Sequence, residues 1–210
     1  VRITFRIQMN QMVLHVIHVF YFQKRHVSWV IISLTEIEAF DMSDIKVSFT
    51  WPPVIPPSQM FGSSLESDLT RLIDRARNEI IIMAYNIGTS SNFFLQTVIS
   101  DKLRMSPNIK LKVYCDTLSD AANFRSLYYD WRGNVEIKHW VADSDSFSKF
   151  HIKCIIVDQH HIYLGSANLS YTAMNHSAEC GLFFADSKIY ESFNKYVNVL
   201  ELNGKLTSYE

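Results

Sequence analysis

FHIKCIIVDQHHIYLGSANLS, residues 150–170, is the stretch whose reading decides the fold. Its Ile and Val content marks a strand, yet it opens with His151 and Lys153 and its return arm ends in Gly165-Ser166-x-Asn168. Residues i and i+2 of a strand share a face. His151 and Lys153 are therefore expected to project together, while Phe150, Ile152, Cys154 and Ile156 point the other way into a core. Asp158-Gln159-His160 supplies a turn and HIYLG returns antiparallel, a hairpin over 150–164. Gly165 lets the backbone come close to a bound group, and Ser166 and Asn168 add a hydroxyl and an amide. An imidazole, an ammonium and neutral hydrogen-bonding groups, with no metal-ligand set among them, suit a phosphate. Lys153 and Asn168 would hold the non-bridging oxygens and leave His151 free to attack phosphorus. Glu179 lies on the next strand, where it shares a face with Gly181 and Phe183. A carboxylate bonded to one imidazole nitrogen fixes the tautomer and leaves the other nitrogen as nucleophile.

The bland alternatives are specific. A histidine beside an apolar strand is ordinarily a satisfied core residue, but Lys153 on the same face would be hard to bury without an anion. Asp158 reads as a turn carboxylate, Glu179 otherwise as a strand-edge charge. His160 and His161 read as exposed turn residues, and His176 as a surface residue. Phe124, Tyr128, Tyr129 and Trp131 fit helical core spacing, whereas Trp140 and Phe147 flank the polar loop before the motif and are weak candidates for touching substrate. Lys110, Lys112, Lys138 and Lys149 fit either a groove for a nucleic-acid backbone or solvated strand edges.

Outward from the motif the chain alternates. Residues 63–78 place Leu65, Leu69, Leu72, Ile73 and Ala76 at helical spacing, with Ser64 as cap. Strands are expected at 79–87, 109–116, 134–141 and 178–185, and helices at 93–104, 119–131 and 188–202. This pattern predicts an α/β fold, a mixed, largely parallel sheet with helices on both faces. SFTWPPVIPPSQ, residues 48–59, holds four of the chain's five prolines and reads as an ordered, extended entry loop. No internal repeat is present.

The 210 residues suit one substantial domain with an extension, divided near residue 46 into 1–46 and 47–210. Residues 1–35 lack Asp and Glu, and their apolar segment QMVLHVIHVFYF carries His15 and His18. That falls short of the roughly 18–20 apolar residues of a membrane span, and no small-residue cleavage site follows it. The segment reads as an accessory element packed on the main domain, or as sequence upstream of a start at Met42. A net charge of −1 offers no global basic field for coating nucleic acid and argues against such a chain, though not against a local basic cleft. Cys115, Cys154 and Cys180 each sit in an apolar run and read as buried free thiols, which suits a reducing cytoplasm.

HIKCIIVDQHHIYLGSAN has the form H-x-K-x4-D-x6-G-S-x-N and resembles the signature of the phospholipase D superfamily. The element order over residues 63–202 is similar to one half of that fold. The resemblance implies His151 as a nucleophile forming a phosphohistidine, Lys153 and Asn168 as phosphate ligands supported by Ser166, and Glu179 as the group orienting His151. Asp158 belongs to the motif with the structural task of bracing the turn. No metal or other cofactor is implied. The SFTWPP loop ahead of a single C-terminal motif also resembles the phospholipase-D-like component of bacterial DISARM anti-phage systems.

Cleavage through a covalent intermediate needs a nucleophile and an acid for the leaving oxygen. The family supplies two histidines from two motif copies, and no other histidine here has a lysine two residues on. One chain thus carries one half-site, and a C2 homodimer joined through the active-site face would bring both His151 side chains together. A hetero-partner with its own motif is the less favoured route. Small single-motif members of the family are typically nucleases, so the leading expectation is a metal-independent phosphodiesterase acting on nucleic acid, DNA first, plausibly in phage defence with other defence proteins. The alternatives are a phosphatidyl hydrolase or transferase, and a non-catalytic nucleic-acid-binding subunit.

Overall fold

The computed structural model describes residues 2–9, 13–24, 27–38, 45–87, 94–128, 134–142 and 147–209. The chain divides into two compact units, Val1–Asp44 and Ile45–Glu210. In the first, β1 (Arg2–Met9), β2 (Val13–Lys24) and β3 (Val27–Glu38) form an antiparallel meander in the order β1-β2-β3.

The second unit is built on a nine-stranded sheet. Its strands are β4 (Lys46–Phe49), β5 (Ser63–Ser64), β6 (Glu79–Ala84), β7 (Lys110–Cys115), β8 (Val135–Trp140), β9 (Lys153–Val157), β10 (His161–Gly165), β11 (Cys180–Ala185) and β12 (Leu206–Ser208). The order across the sheet is β12-β8-β7-β6-β9-β10-β11-β4-β5. The sheet is mixed, as expected. Parallel pairing is confined to β6–β7, β7–β8 and β4–β5, however, and the other five ladders are antiparallel. The correction has a simple cause: a tight turn joins β9 to β10 and sets them antiparallel, while the parallel pairs β6–β7 and β7–β8 are those joined by crossovers through α2 and α3.

Helices α1 (Leu65–Asp74), α2 (Phe94–Met105), α3 (Leu118–Leu127) and α4 (Tyr171–Asn175) contribute to the core on one face. Helix α5 (Ser187–Leu202) packs on the other with Ile81, Met83, Cys154 and Ile156. All six residues of β6 are buried, which explains the unbroken apolar run from Ile80 to Ala84 after Glu79. Ser64 caps α1 as expected, its hydroxyl accepting from the Ser67 N–H. The entry segment departs from a plain loop. Residues 46–49 add β4 antiparallel to β11, and Asp68 of α1 anchors it by accepting from Lys46 Nζ at 2.6 Å and the buried Ser48 hydroxyl at 2.5 Å.

Cys115 and Cys154 are buried free thiols, and burial pushes both up to about 12. Cys180 is also free but exposed, contrary to expectation, because it opens β11 at the sheet's end. Phe124 and Tyr128 are core residues, while Tyr129 and Trp131 lie outside the described residues. Among the described residues no helix is long and apolar enough to cross a membrane.

Candidate active site

Strand polarity gathers the site. The start of β9, the start of β11 and the ends of β4, β6, β7 and β10 all lie at one end of the sheet. His151, Lys153, Ser166, Asn168 and Glu179 therefore converge there from separate segments.

Lys153 opens β9 on the same face as Ile155 and Val157, buried among the helices, while His151 precedes the strand and is exposed. The Lys153 Nζ lies 3.1 Å from His151 Nδ1 and 3.3 Å from Nε2, and donates to the His151 carbonyl at 3.3 Å. Burial drives the ammonium below its ordinary lysine value, and the Glu179 charge opposes that shift. Among the described residues no carboxylate is bonded to Lys153. On the opposite face Phe150, Cys154 and Ile156 enter the second core cluster, with Ile152 partly buried against it.

Glu179 does not take the expected place behind His151. Its Oε2 accepts from the Ser166 hydroxyl at 2.5 Å, and Ser166 Oγ in turn accepts from the Cys180 N–H at 3.2 Å. The carboxylate acts on Lys153 through its charge. Asn168 has its side-chain oxygen buried without a hydrogen-bond partner, and the isolated bridge between Leu169 and Ile87 ties its loop to the one after β6.

Gly165 has a different reason from the one expected. A Cβ there would meet the Tyr163 hydroxyl at 2.5 Å and the Cys180 carbonyl at 2.7 Å. Gly165 pairs with Gly181 across the ladder, and the buried Tyr163 ring fills the space both leave. The glycine admits a core tyrosine, and its own open side is already occupied.

Asp158 stands at the far end of β9, about seven residues and so roughly 20 Å of strand from His151. Its carboxylate accepts three backbone N–H groups, from Arg77 at 2.9 Å, Asn78 at 2.8 Å and Glu79 at 3.0 Å. Burial acts to raise this carboxyl, but the three donors together outweigh it and hold the group below its ordinary range. Asp158 and Gln159 take φ values of 49° and 60°, the left-handed pair of a tight hairpin turn.

Three residues of the site escape a reading centred on the motif. Tyr85 follows β6 and sets its ring 4.3 Å from that of His151, at 50°. Thr50 follows β4 and clamps the approach to Glu179: its N–H donates to the Glu179 carbonyl at 3.0 Å, and its hydroxyl donates to the Ser177 carbonyl at 2.7 Å and accepts from the Glu179 N–H at 2.9 Å. Asp116 follows β7, is buried, and accepts from the Phe150 N–H at 2.6 Å, which fixes the chain one residue before His151. Each is the first residue past a strand that ends at the site, a positional signal rather than a motif.

The other candidates resolve into ordinary contacts. Lys112 pairs with Glu79 at 2.8 Å, and Lys138 with Glu136 and Glu201 at 2.9 and 2.8 Å. Trp140 packs beside Phe150 in the α5-side core, and Phe147 is 88% exposed.

Residues 69–200 match the family model described as cardiolipin synthase, PLD-like domain. The fold is similar to that of the phospholipase D family member Nuc from Salmonella typhimurium (TM-score 0.57, 18% identity, 79% of this chain and 97% of that one). NucT from Helicobacter pylori aligns with TM-score 0.55 and 19% identity over 79% of this chain and 100% of its own. Phosphatidylserine synthase from Haemophilus influenzae aligns with TM-score 0.57 and 14% identity over 85% of this chain but 43% of its own. None of the curated proteins matches the chain.

Proposed function

Because the chain belongs to the phospholipase-D-like domain family, we propose that it is a metal-independent phosphodiesterase that cleaves nucleic acid, DNA in the first instance, through a phosphohistidine. The observation that carries this reading is the buried Lys153 ammonium 3.1 Å from an exposed imidazole. A buried cation without a bonded carboxylate suits a substrate that brings its own negative charge.

In the proposed reaction a His151 ring nitrogen attacks phosphorus, forming an N–P bond as the bond to the leaving oxygen breaks. Lys153 neutralises the charge on the non-bridging oxygens, and the Asn168 amide N–H donates to them. Ser166 supports that cradle while held by Glu179, and Asp158 keeps the hairpin in register. The leaving alkoxide takes a proton from His151 of the partner subunit, which then accepts one from the water that cleaves the N–P bond. A homodimer joined through this face supplies that second histidine. The match over 97% and 100% of Nuc and NucT, against 43% of the synthase, supports reading these residues as one such domain. The three free thiols favour the cytoplasm, and the SFTWPP resemblance favours a place in phage defence.

A second reading, phosphatidyl hydrolysis or transfer, is favoured by one feature. Val54 and Phe61 stand 85% and 65% exposed in the segment following Thr50, the residue that clamps Glu179.

The deciding experiment incubates the protein with labelled single- and double-stranded DNA in excess EDTA, beside His151→Ala. Cleavage by the wild type alone is expected. Intact DNA together with turnover of phospholipid vesicles would transfer the assignment to the second reading, and inertness toward both would leave a binding subunit.

A further inference from the structure

His151 stands two residues before the first paired position of β9, Lys153, so the sheet ladder does not reach its backbone. The Asp116 carboxylate fixes its neighbour Phe150. The imidazole itself is exposed, and the carboxylate suited to orienting it is bonded to Ser166. Among the described residues, the ring that packs against the imidazole is that of Tyr85.

Tyr85 is well placed to hold something else still. It is the residue after Ala84, which ends the fully buried central strand β6 and pairs directly with Lys153. Its backbone is thus set by the most rigid part of the sheet, while its half-buried ring reaches the site. The Lys153 ammonium lies 5.2 Å from the centroid of the same ring. An aromatic face is the negative end of a quadrupole, and it attracts both an ammonium and positive charge developing on an imidazole. One ring therefore packs against the imidazole and draws the lysine to the same side.

We infer that Tyr85 is the positioning residue of the site, its ring rather than its hydroxyl holding the His151 imidazole in line with the phosphate. The inference rests on the reading of His151 as nucleophile. An imidazole free to rotate away loses alignment, and misplacement by about 1 Å costs on the order of 100-fold.

The test compares Tyr85→Phe, which keeps the ring, with Tyr85→Leu and Tyr85→Met, which do not. Two flexible apolar replacements guard against one that fails to fold. In steady-state cleavage, Tyr85→Phe is expected to stay within about 3-fold of wild type. The ringless variants lose about 10- to 100-fold in kcat with KM changed by less than about 3-fold. In spectra of histidine-labelled protein, with the His151 signal assigned by its loss in His151→Ala, wild type and Tyr85→Phe keep an upfield ring-current shift that the ringless variants lose. Three results would overturn the inference: Tyr85→Phe as damaged as Tyr85→Leu, ringless variants with full kcat, or a defect confined to KM. The spectra separate this idea from the catalytic reading. If the wild type cleaves no phosphodiester but the His151 shift still vanishes without the ring, the positioning stands and the proposed reaction falls. An unchanged shift sinks the positioning by itself.

Discussion

The two ends of the β9–β10 hairpin belong to one motif and have opposite chemistry. At the turn end, polar groups are paired. Asp158 takes three N–H donors, its own N–H donates to the Glu79 carbonyl, Gln159 reaches the Glu79 carboxylate, and the His160 carbonyl accepts from Asp186. At the other end a lysine is buried beside an exposed imidazole and an amide oxygen is buried without a partner. A protein leaves groups in such a state where something else is meant to complete them, since unpaired buried polar atoms cost stability. One end of the hairpin is paired within the fold, and on the proposed reading the other is left open for a substrate, at the fold's expense.

Lys153→Met breaks this contrast most sharply. If the ammonium serves substrate alone, kcat/KM falls on the order of 1000-fold, comparable to loss of a key electrostatic donor in other enzymes. Folding stability meanwhile holds or rises by up to about 1 kcal/mol, because a buried cation is replaced by an apolar chain of similar length. Urea unfolding beside the cleavage assay reads both. A marked loss of stability would mean that Lys153 belongs to the fold after all.

Asp158→Asn should do the reverse. The amide keeps the shape but offers one oxygen where three N–H groups now share two. Unfolding free energy is expected to drop by about 2 kcal/mol, with kcat of the folded fraction within about 2-fold of wild type. The carboxyl is held below its ordinary value of 3.8 in the folded state. Its contribution is therefore complete above about pH 4 and fades as the pH falls through the folded value. The wild type should lose stability on that acid limb, and the Asn variant should lose less there, having no proton to take up.

The same contrast explains what could be foreseen from the chain. The hairpin of β9 and β10 was legible from its apolar run and turn, whereas His151, Ser166 and Asn168 lie just beyond its paired positions and were picked out by the motif's resemblance. Asp158 was legible as a brace because an acidic residue at a tight turn has backbone donors within reach. The Ser166–Glu179 bond was not, since residues 13 positions apart choose partners by side-chain geometry that periodicity does not encode. Tyr85, Thr50 and Asp116 were hidden for a related reason: each is ordinary in its own segment and meets the site only after the strands are ordered. The parallel bias of the expected sheet came from counting alternating elements, which says nothing about the direction in which a hairpin enters between them.

Gly165 closes β10 at the open end of the hairpin, and it supports the smallest prediction. If the glycine exists to admit Tyr163, Gly165→Ala drives a methyl to 2.5 Å from the tyrosine hydroxyl and costs about 1–2 kcal/mol. Among the described residues that hydroxyl is buried without a regular hydrogen bond, with the Ala167 backbone beside it. Tyr163→Phe alone should then be close to neutral. In the double variant the Oη obstacle is gone, and part of the alanine's cost should return, leaving the share due to the Cys180 carbonyl at 2.7 Å and the ring's Cζ at 2.8 Å. A thermodynamic cycle over the two positions measures that coupling directly. A positive coupling assigns the glycine to the core. Strict additivity, with catalysis falling while stability holds, would instead return Gly165 to the substrate.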